Sequence, residues 1–336
     1  MIGETTKLDA LVKSLQQERG RAIGVGFQRL GEPPQIVTAG PRYIREGQVS
    51  VESRWHIGSL TKSMTSAMIL RLHDEGVLDI DAPVGDLLPA FQAEMHTDWQ
   101  SIRLSGLLSH TAGLPANARR DGLPEDSSKA RLALMRQLWS EPLKNADPSF
   151  EYSNTGYVLA GLVAEQVTGK SWEELIRAEI ASPLGLATLG FGAPDGVEDA
   201  WGHRRLLGFS WPVNPAGTAD NPAWMGPAGT VHPSLSDLMH WGAAHLNQCT
   251  GVNPSFLSKE SCARLVTPVK DSYALGWVIL PRDDGDVLFH NGSNTMWSAM
   301  LFVSDARQSV LAMVMNDGRI GWLEKQLPRI IEVLPK

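Results

Sequence analysis

The 336 residues are 43% hydrophobic and 20% charged, a balance that fits a globular chain able to bury one large core or two packed ones. A net charge of −7 and the lack of any like-charge run exclude a basic nucleic-acid footprint and a charged tail. No apolar run has the length of a membrane span. Leu8, Leu11, Val12 and Leu15 mark an amphipathic helix where the apolar core of a leader would lie. The chain is therefore expected in the cytoplasm if complete as given, and in the periplasm or medium if a signal peptide has been removed. Cys249 and Cys262 read as two unpaired core thiols, with pairing open to them in an oxidising compartment.

Taken in order, the pattern predicts a helix over 7–19, strands over 22–28 and 35–39, and an extended run over 53–57. Leu60, Met64, Ala67, Met68 and Leu72 recur at three- and four-residue spacing, so a helix buried on one face begins beside Ser59 and stops near Gly76. Helical patterns with Pro- and Gly-marked loops follow to about 186, including 102–109, 155–167 and 172–180. Residues 187–229 are rich in Gly, Pro and Trp without clear period and read as functional loops or an irregular subdomain. A helix over 234–246 precedes four strands, 275–280, 286–289, 296–303 and 310–315, and a last helix covers 321–333. Strands at both chain ends predict an α/β (α+β) fold, with one antiparallel sheet built from both termini and flanked by terminal helices. Into it is set a large, mainly helical insertion. The expected unit is an α/β region of 1–58 plus about 255–336 around a mainly helical region of about 59–254.

Three stretches carry chemistry. In Ser59-Leu60-Thr61-Lys62 the serine opens a buried helix and the lysine lies three residues on, so the two share a helix face. A desolvated lysine that has lost its proton can activate a serine hydroxyl. The alternative is a capped helix with a surface lysine, but an idle lysine in an apolar helix is costly and no other S-x-x-K occurs in the chain. In Tyr152-Ser153-Asn154, Tyr152 and Asn154 precede another buried helix, where both can face a cleft. A tyrosine near a lysine can shuttle a proton, its phenolate stabilised by the opposite charge, and an amide can bind an acyl group. A helix cap beside a core tyrosine is the bland reading. In His290-Asn291-Gly292-Ser293, alternation puts His290 and Gly292 on one face of an extended segment between two strands. Bare Gly292 would let a ligand approach, and the N–H of Ser293 would join that of Ser59 in an oxyanion hole. The competing reading is a hairpin turn.

Other motifs fail. No G-x-S-x-G elbow is present, Gly169-Lys170-Ser171 lacks the first glycine of a phosphate loop, and His232, His240 and His245 have no zinc spacing. Those histidines read as surface or capping residues, and His110 as a residue that shapes its loop. Neither metal nor cofactor is expected.

Together the three stretches resemble the serine β-lactamase and DD-peptidase (penicillin-binding protein) superfamily, nearest its class C-like branch with carboxylesterases and D-aminopeptidases. The phrases Leu107-Leu108-Ser109-His110-Thr111-Ala112-Gly113-Leu114-Pro115 and Gly226-Pro227-Ala228-Gly229 extend the likeness. The resemblance implies Ser59 as acylated nucleophile, Lys62 and Tyr152 as proton carriers, and Asn154, His290, Gly292 and Ser293 as substrate-binding residues. His290 stands where class C β-lactamases carry the lysine of K-T-G, and an uncharged imidazole holds a carboxylate less firmly. The implied activity is a serine hydrolase of small esters, amides or D-amino-acid peptides. A strict β-lactamase, or a penicillin-binding sensor that acylates without hydrolysis, are its rivals.

Overall fold

The computed structural model describes residues 6–43, 47–118, 122–143, 149–207, 209–217 and 219–335. Its strands are β1 (Ile23–Arg29), β2 (Gln35–Ala39), β3 (Gly190–Phe191), β4 (His203–Leu206), β5 (Phe209–Pro212), β6 (Val231–His232), β7 (Val278–Leu280), β8 (Val287–Ser293), β9 (Ser298–Ser304) and β10 (Ser309–Met315). Six of them form one antiparallel sheet in the order β2-β1-β10-β9-β8-β7, so both chain ends meet at the β1–β10 ladder, Ile23 opposite Met315. The expected sheet is thus present.

Its two faces are covered differently. Leu8, Val12 and Leu15 of helix Lys7–Arg19, with Leu323 and Ile330 near the carboxyl end, pack on Ile23, Val25, Met313 and Met315. The opposite face belongs to the larger core, which includes Leu235, Trp241 and the helices Thr61–Asp74 and Asn154–Thr168. Among the described residues no helix is long and apolar enough to cross a membrane.

Several boundaries differ from expectation for identifiable reasons. Residues 53–57 form no ladder strand; they run extended against 231–234, with Trp55 and Ile57 N–H donating to Pro233 and Val231 carbonyls. The last helix is two pieces, Ile320–Glu324 and Leu327–Val333, because Pro328 has no N–H for an unbroken helical ladder. β7 is shorter than predicted because a turn closed by Ala274 N–H on the Trp277 carbonyl takes its first residues. β8 is longer and carries His290 and Gly292 within the strand, not in a connection between strands. The irregular stretch contains two two-stranded sheets, β3–β6 and β4–β5.

Helix Thr61–Asp74 is buried on all sides through Leu70, not on one face. Its hydroxyls make this possible. Ser63 Oγ accepts from Trp241 Nε1 at 3.1 Å, Thr65 Oγ1 donates to the Pro227 carbonyl at 2.8 Å, and Ser66 Oγ meets Tyr157 Oη at 3.0 Å. Each buried polar group has a partner, which removes most of the cost of burying it. The two cysteines also depart from expectation: Cys249 and Cys262 form a disulfide, with Cα atoms 5.9 Å apart. Their spacing of 13 carries no such information alone; the fold brings helix Lys259–Val266 back against the segment at Cys249.

Candidate active site

Ser59 lies in a single 3₁₀ turn, Gly58–Leu60, that runs into helix Thr61–Asp74. Gly58 has φ +53°, a conformation that side chains resist, and this sharp entry presents Ser59 beside β8. One turn on, Lys62 Nζ is 3.1 Å from Ser59 Oγ, 2.6 Å from Asn154 Oδ1 and 2.7 Å from the Ala228 carbonyl. Lys62 is fully buried, and burial holds its ammonium well below the usual lysine range.

The second stretch arrives from helix Asn154–Thr168. Ser153 caps that helix by accepting from Gly156 N–H, while its own N–H donates to His110 Nδ1 at 3.0 Å. The capping reading is therefore right for Ser153, and it leaves Tyr152 and Asn154 on the site. The Tyr152 phenol interacts with Ser59, and Lys62 Nζ lies 4.8 Å from its ring centroid. Burial pushes the Tyr152 phenol above its usual range, and the Ser59 hydrogen bond only partly offsets that. Burial thus favours a neutral phenol over the expected phenolate, beside a lysine that burial also pushes toward neutrality. Asn154 joins Lys62 to the loop at Asn117, whose Oδ1 accepts from its Nδ2 at 2.7 Å.

The third stretch is placed differently from expectation. His290 and Gly292 do share a face of β8, but His290 is buried. Its Nδ1 faces the Asn291 carbonyl at 2.6 Å and its Nε2 faces Tyr273 Oη at 3.2 Å. Nδ1 therefore carries the proton and Nε2 accepts from the tyrosine. Burial first, and the charge of Lys62 second, lower its pKa to about 3. A Cβ on Gly292 would stand 2.0 Å from the Ile57 carbonyl oxygen and 2.5 Å from Ser59 N. The space left by its missing side chain is filled by the nucleophile's own turn and not by a ligand. The hypothetical Cβ of Gly58 would stand 2.4 Å from Ser293 N, so the backbones of Ser59 and Ser293 are brought together. Ser293 Oγ donates to the Trp297 carbonyl at 2.6 Å and is spent on that turn.

Behind Lys62 lies an aromatic layer of which sequence reasoning gave only Tyr152 a part in the site. Tyr152, Tyr157 and Tyr273 pack as tilted rings around His110, whose centroid is 4.3 Å from that of Tyr152 and 4.7 Å from that of Tyr273. Burial lowers the His110 pKa to about 2, with Lys62 and His290 adding to the effect. His110 does shape its loop, and it also fixes Ser153. The signal for it was its phrase, since nothing in the spacing joins residues 110, 157 and 273. His232 and His245, expected as surface or capping residues, are buried, with Nδ1 atoms on the Gly192 and Trp241 carbonyls. A lone histidine gives no sequence sign of which backbone carbonyl will satisfy it.

A family model described as Beta-lactamase matches residues 26–332. The chain is 24% identical over 292 residues to "Protein flp" of Staphylococcus aureus (strain N315), covering 85% of this chain and 56% of that protein. The chain thus spans little more than half the length of those curated relatives. It is 27% identical over 289 residues to "Penicillin-binding protein 4" of Amycolatopsis lactamdurans, covering 80% of this chain and 74% of that one. Among solved structures, SurE matches with a TM-score of 0.82 at 24% identity, over 97% of this chain and 75% of that one. That likeness establishes a shared fold.

Proposed function

The chain belongs to the Beta-lactamase family, a family of serine hydrolases, and from that premise we propose that it works through an acyl-enzyme on Ser59. The observation that carries the reading is the setting of Lys62. Two of its three partners, the Asn154 and Ala228 oxygens, only accept. A neutral amine gives them its two N–H groups and keeps its lone pair for the proton of Ser59. Burial supplies the neutral amine.

The steps follow from these contacts. Ser59 Oγ attacks the substrate carbonyl carbon as its proton passes to Lys62 Nζ. The carbonyl electrons move to oxygen, which the N–H groups of Ser59 and Ser293 receive as an oxyanion hole. Collapse breaks the bond to the alcohol or amine, which leaves with a proton from the Tyr152 phenol, resupplied by Lys62. Water then hydrolyses the ester on Ser59. Asn154 positions Lys62 and meets the acyl group.

We infer that the substrates are small esters, neutral amides or D-amino-acid peptides rather than β-lactams. The support is His290, uncharged and engaged at both nitrogens, which offers a substrate carboxylate neither a charge nor a free donor. The test compares kcat/KM for p-nitrophenyl butyrate and nitrocefin and follows labelling by a fluorophosphonate. Ester preference, with labelling abolished in Ser59→Ala, is the expected result. Preference for nitrocefin overturns the substrate reading, and labelling at another serine overturns the nucleophile.

A further inference from the structure

Outside the set that touches the reacting atoms, a second buried network joins the two backbones that form the oxyanion hole. On one side Gly58 N–H donates to His56 Nδ1 at 3.1 Å, one residue before Ser59. With Nδ1 accepting, the ring proton sits on Nε2. That atom lies 2.8 Å from Asp220 Oδ1, an approach too bent to count as a straight hydrogen bond. The same Oδ1 accepts from Asn221 N–H at 2.6 Å and from Asn294 Nδ2 at 3.0 Å. Asn294, one residue after Ser293, receives the N–H groups of Met296 and Trp297 on its Oδ1, at 3.2 Å each. The Trp297 ring stacks on His56 with centroids 5.7 Å apart, which closes the loop of contacts. His56, Asn294 and Trp297 are all buried.

We propose that His56, Asp220 and Asn294 are positioning residues that set the separation and aim of the Ser59 and Ser293 N–H groups. Steric contact through Gly58 and Gly292 sets how near the two backbones approach. It does not set how each peptide is rotated about its strand or turn. Asp220 Oδ1, hydrogen-bonded to Asn294 on the Ser293 side and 2.8 Å from His56 Nε2 on the Ser59 side, does so, because rotating either backbone stretches one of its contacts. Such aim matters to a developing oxyanion, since misplacement by about 1 Å costs about a hundredfold in rate. The proposal rests on the reading of Ser59 and Ser293 as the oxyanion hole.

The test uses p-nitrophenyl butyrate and its thiono analogue, in which sulfur replaces the carbonyl oxygen. Sulfur is larger and a poorer hydrogen-bond acceptor, so a well-aimed hole prefers the oxo ester. A residue that merely holds the fold does not change that preference. Asp220→Ala should lower kcat per acylatable serine about ten- to a hundredfold with KM within about threefold, and cut the oxo-to-thiono preference about tenfold. Asp220→Asn, which keeps the accepting oxygen, should restore both. If Asp220→Ala does not fold, His56→Asn gives the same reading, since it keeps an acceptor for Gly58 N–H but is too short to reach Asp220. A folded variant with the wild-type preference overturns the proposal, as does a fall in kcat that leaves the preference intact. If the wild type itself shows no oxo preference, the oxyanion-hole reading fails first and this proposal with it.

Discussion

Burial pushes both Lys62 and Tyr152 toward their neutral forms, an amine and a phenol. Activity then needs Lys62 unprotonated. As pH falls through its lowered pKa the amine takes a proton, and kcat/KM should fall along a single-proton limb far below pH 10.5. Lys62→Arg keeps a long basic side chain but cannot give up its proton, and should cost at least about a thousandfold. Tyr152→Phe should also cost heavily, and the Lys62→Ala, Tyr152→Phe double variant little more than the worse single, as for groups that share one step. Multiplicative losses, or a limb that survives in Lys62→Ala, would separate the two. His290 makes a contrasting case. Read as a strand residue facing ligand, it invites exchange for lysine to favour β-lactams. Buried and bonded to Tyr273, it sits where an ammonium would have no counter-charge. His290→Lys should therefore lower the melting temperature by several degrees and leave the ester-to-nitrocefin ratio unmoved. A stable variant with raised nitrocefin turnover would return His290 to the substrate.

Strand β8 against the Gly58–Leu60 turn is the contact on which the site depends, and Gly292 makes it possible. A methyl group there would meet the Ile57 oxygen, Ser59 N and Leu60 N at 2.0, 2.5 and 2.8 Å, all backbone and unable to step aside. Gly292→Ala should lose stability by about 1–3 kcal/mol and activity by more than that loss explains, measured by urea unfolding and kcat per labelled site. Normal kinetics would mean the turn relaxes freely. The motifs were legible because each sits within a few residues of chain: Ser59 and Lys62 on one helical turn, Tyr152 and Asn154 flanking one cap, His290 and Gly292 on one strand face. What the chain did not disclose was what the fold sets against each motif. Alternation put His290 and Gly292 on a common face but not whether ligand or protein covers it. The disulfide was missed for a like reason, since Cys249 and Cys262 meet only when helix Lys259–Val266 packs. Closing a loop of that size contributes about 3 kcal/mol. Replacing both cysteines by alanine should lower the unfolding free energy by about 2–4 kcal/mol and leave kcat/KM unchanged, because neither touches the site. No change in stability would show that strain or denatured-state structure cancels the crosslink.

The molecule as a whole buries imidazoles in most of its layers. His110 and His290 lie behind the active site, His203 bonds the Asn316 carbonyl beside the sheet, His232 lies in the small β3–β6 sheet and His245 sits among Trp241, Phe256 and Trp277. Burial is the first cause in every case, lowering the pKa to about 2 for His110, about 3 for His290 and about 4 for the other three. The sign follows from where the protons go. Each folded pKa lies below the unfolded value of about 6.5, so below that pH the unfolded chain binds protons that the native protein refuses. The share of stability that these rings set should be full above about pH 7 and fall steadily between about pH 6.5 and 4. At pH 5 these rings take up between about four and five protons on unfolding, a slope of about 6 kcal/mol per pH unit. That is enough to unfold a domain of ordinary stability within one or two units. Carboxylates contribute little above about pH 5, since ordinary Asp and Glu residues are largely ionised in both states there. The measurement is the urea unfolding free energy from pH 7.5 to 5, with proton uptake read by calorimetry in buffers of different ionisation enthalpy. His245→Asn, remote from the catalytic groups, should remove about one proton from the uptake and flatten the slope by about a fifth. A flat profile between pH 7 and 5 would show that these rings are protonated in the native protein. The loss of activity at low pH would then belong to Lys62 alone; otherwise part of the acidic limb is global unfolding, and only rates normalised to folded protein isolate the lysine.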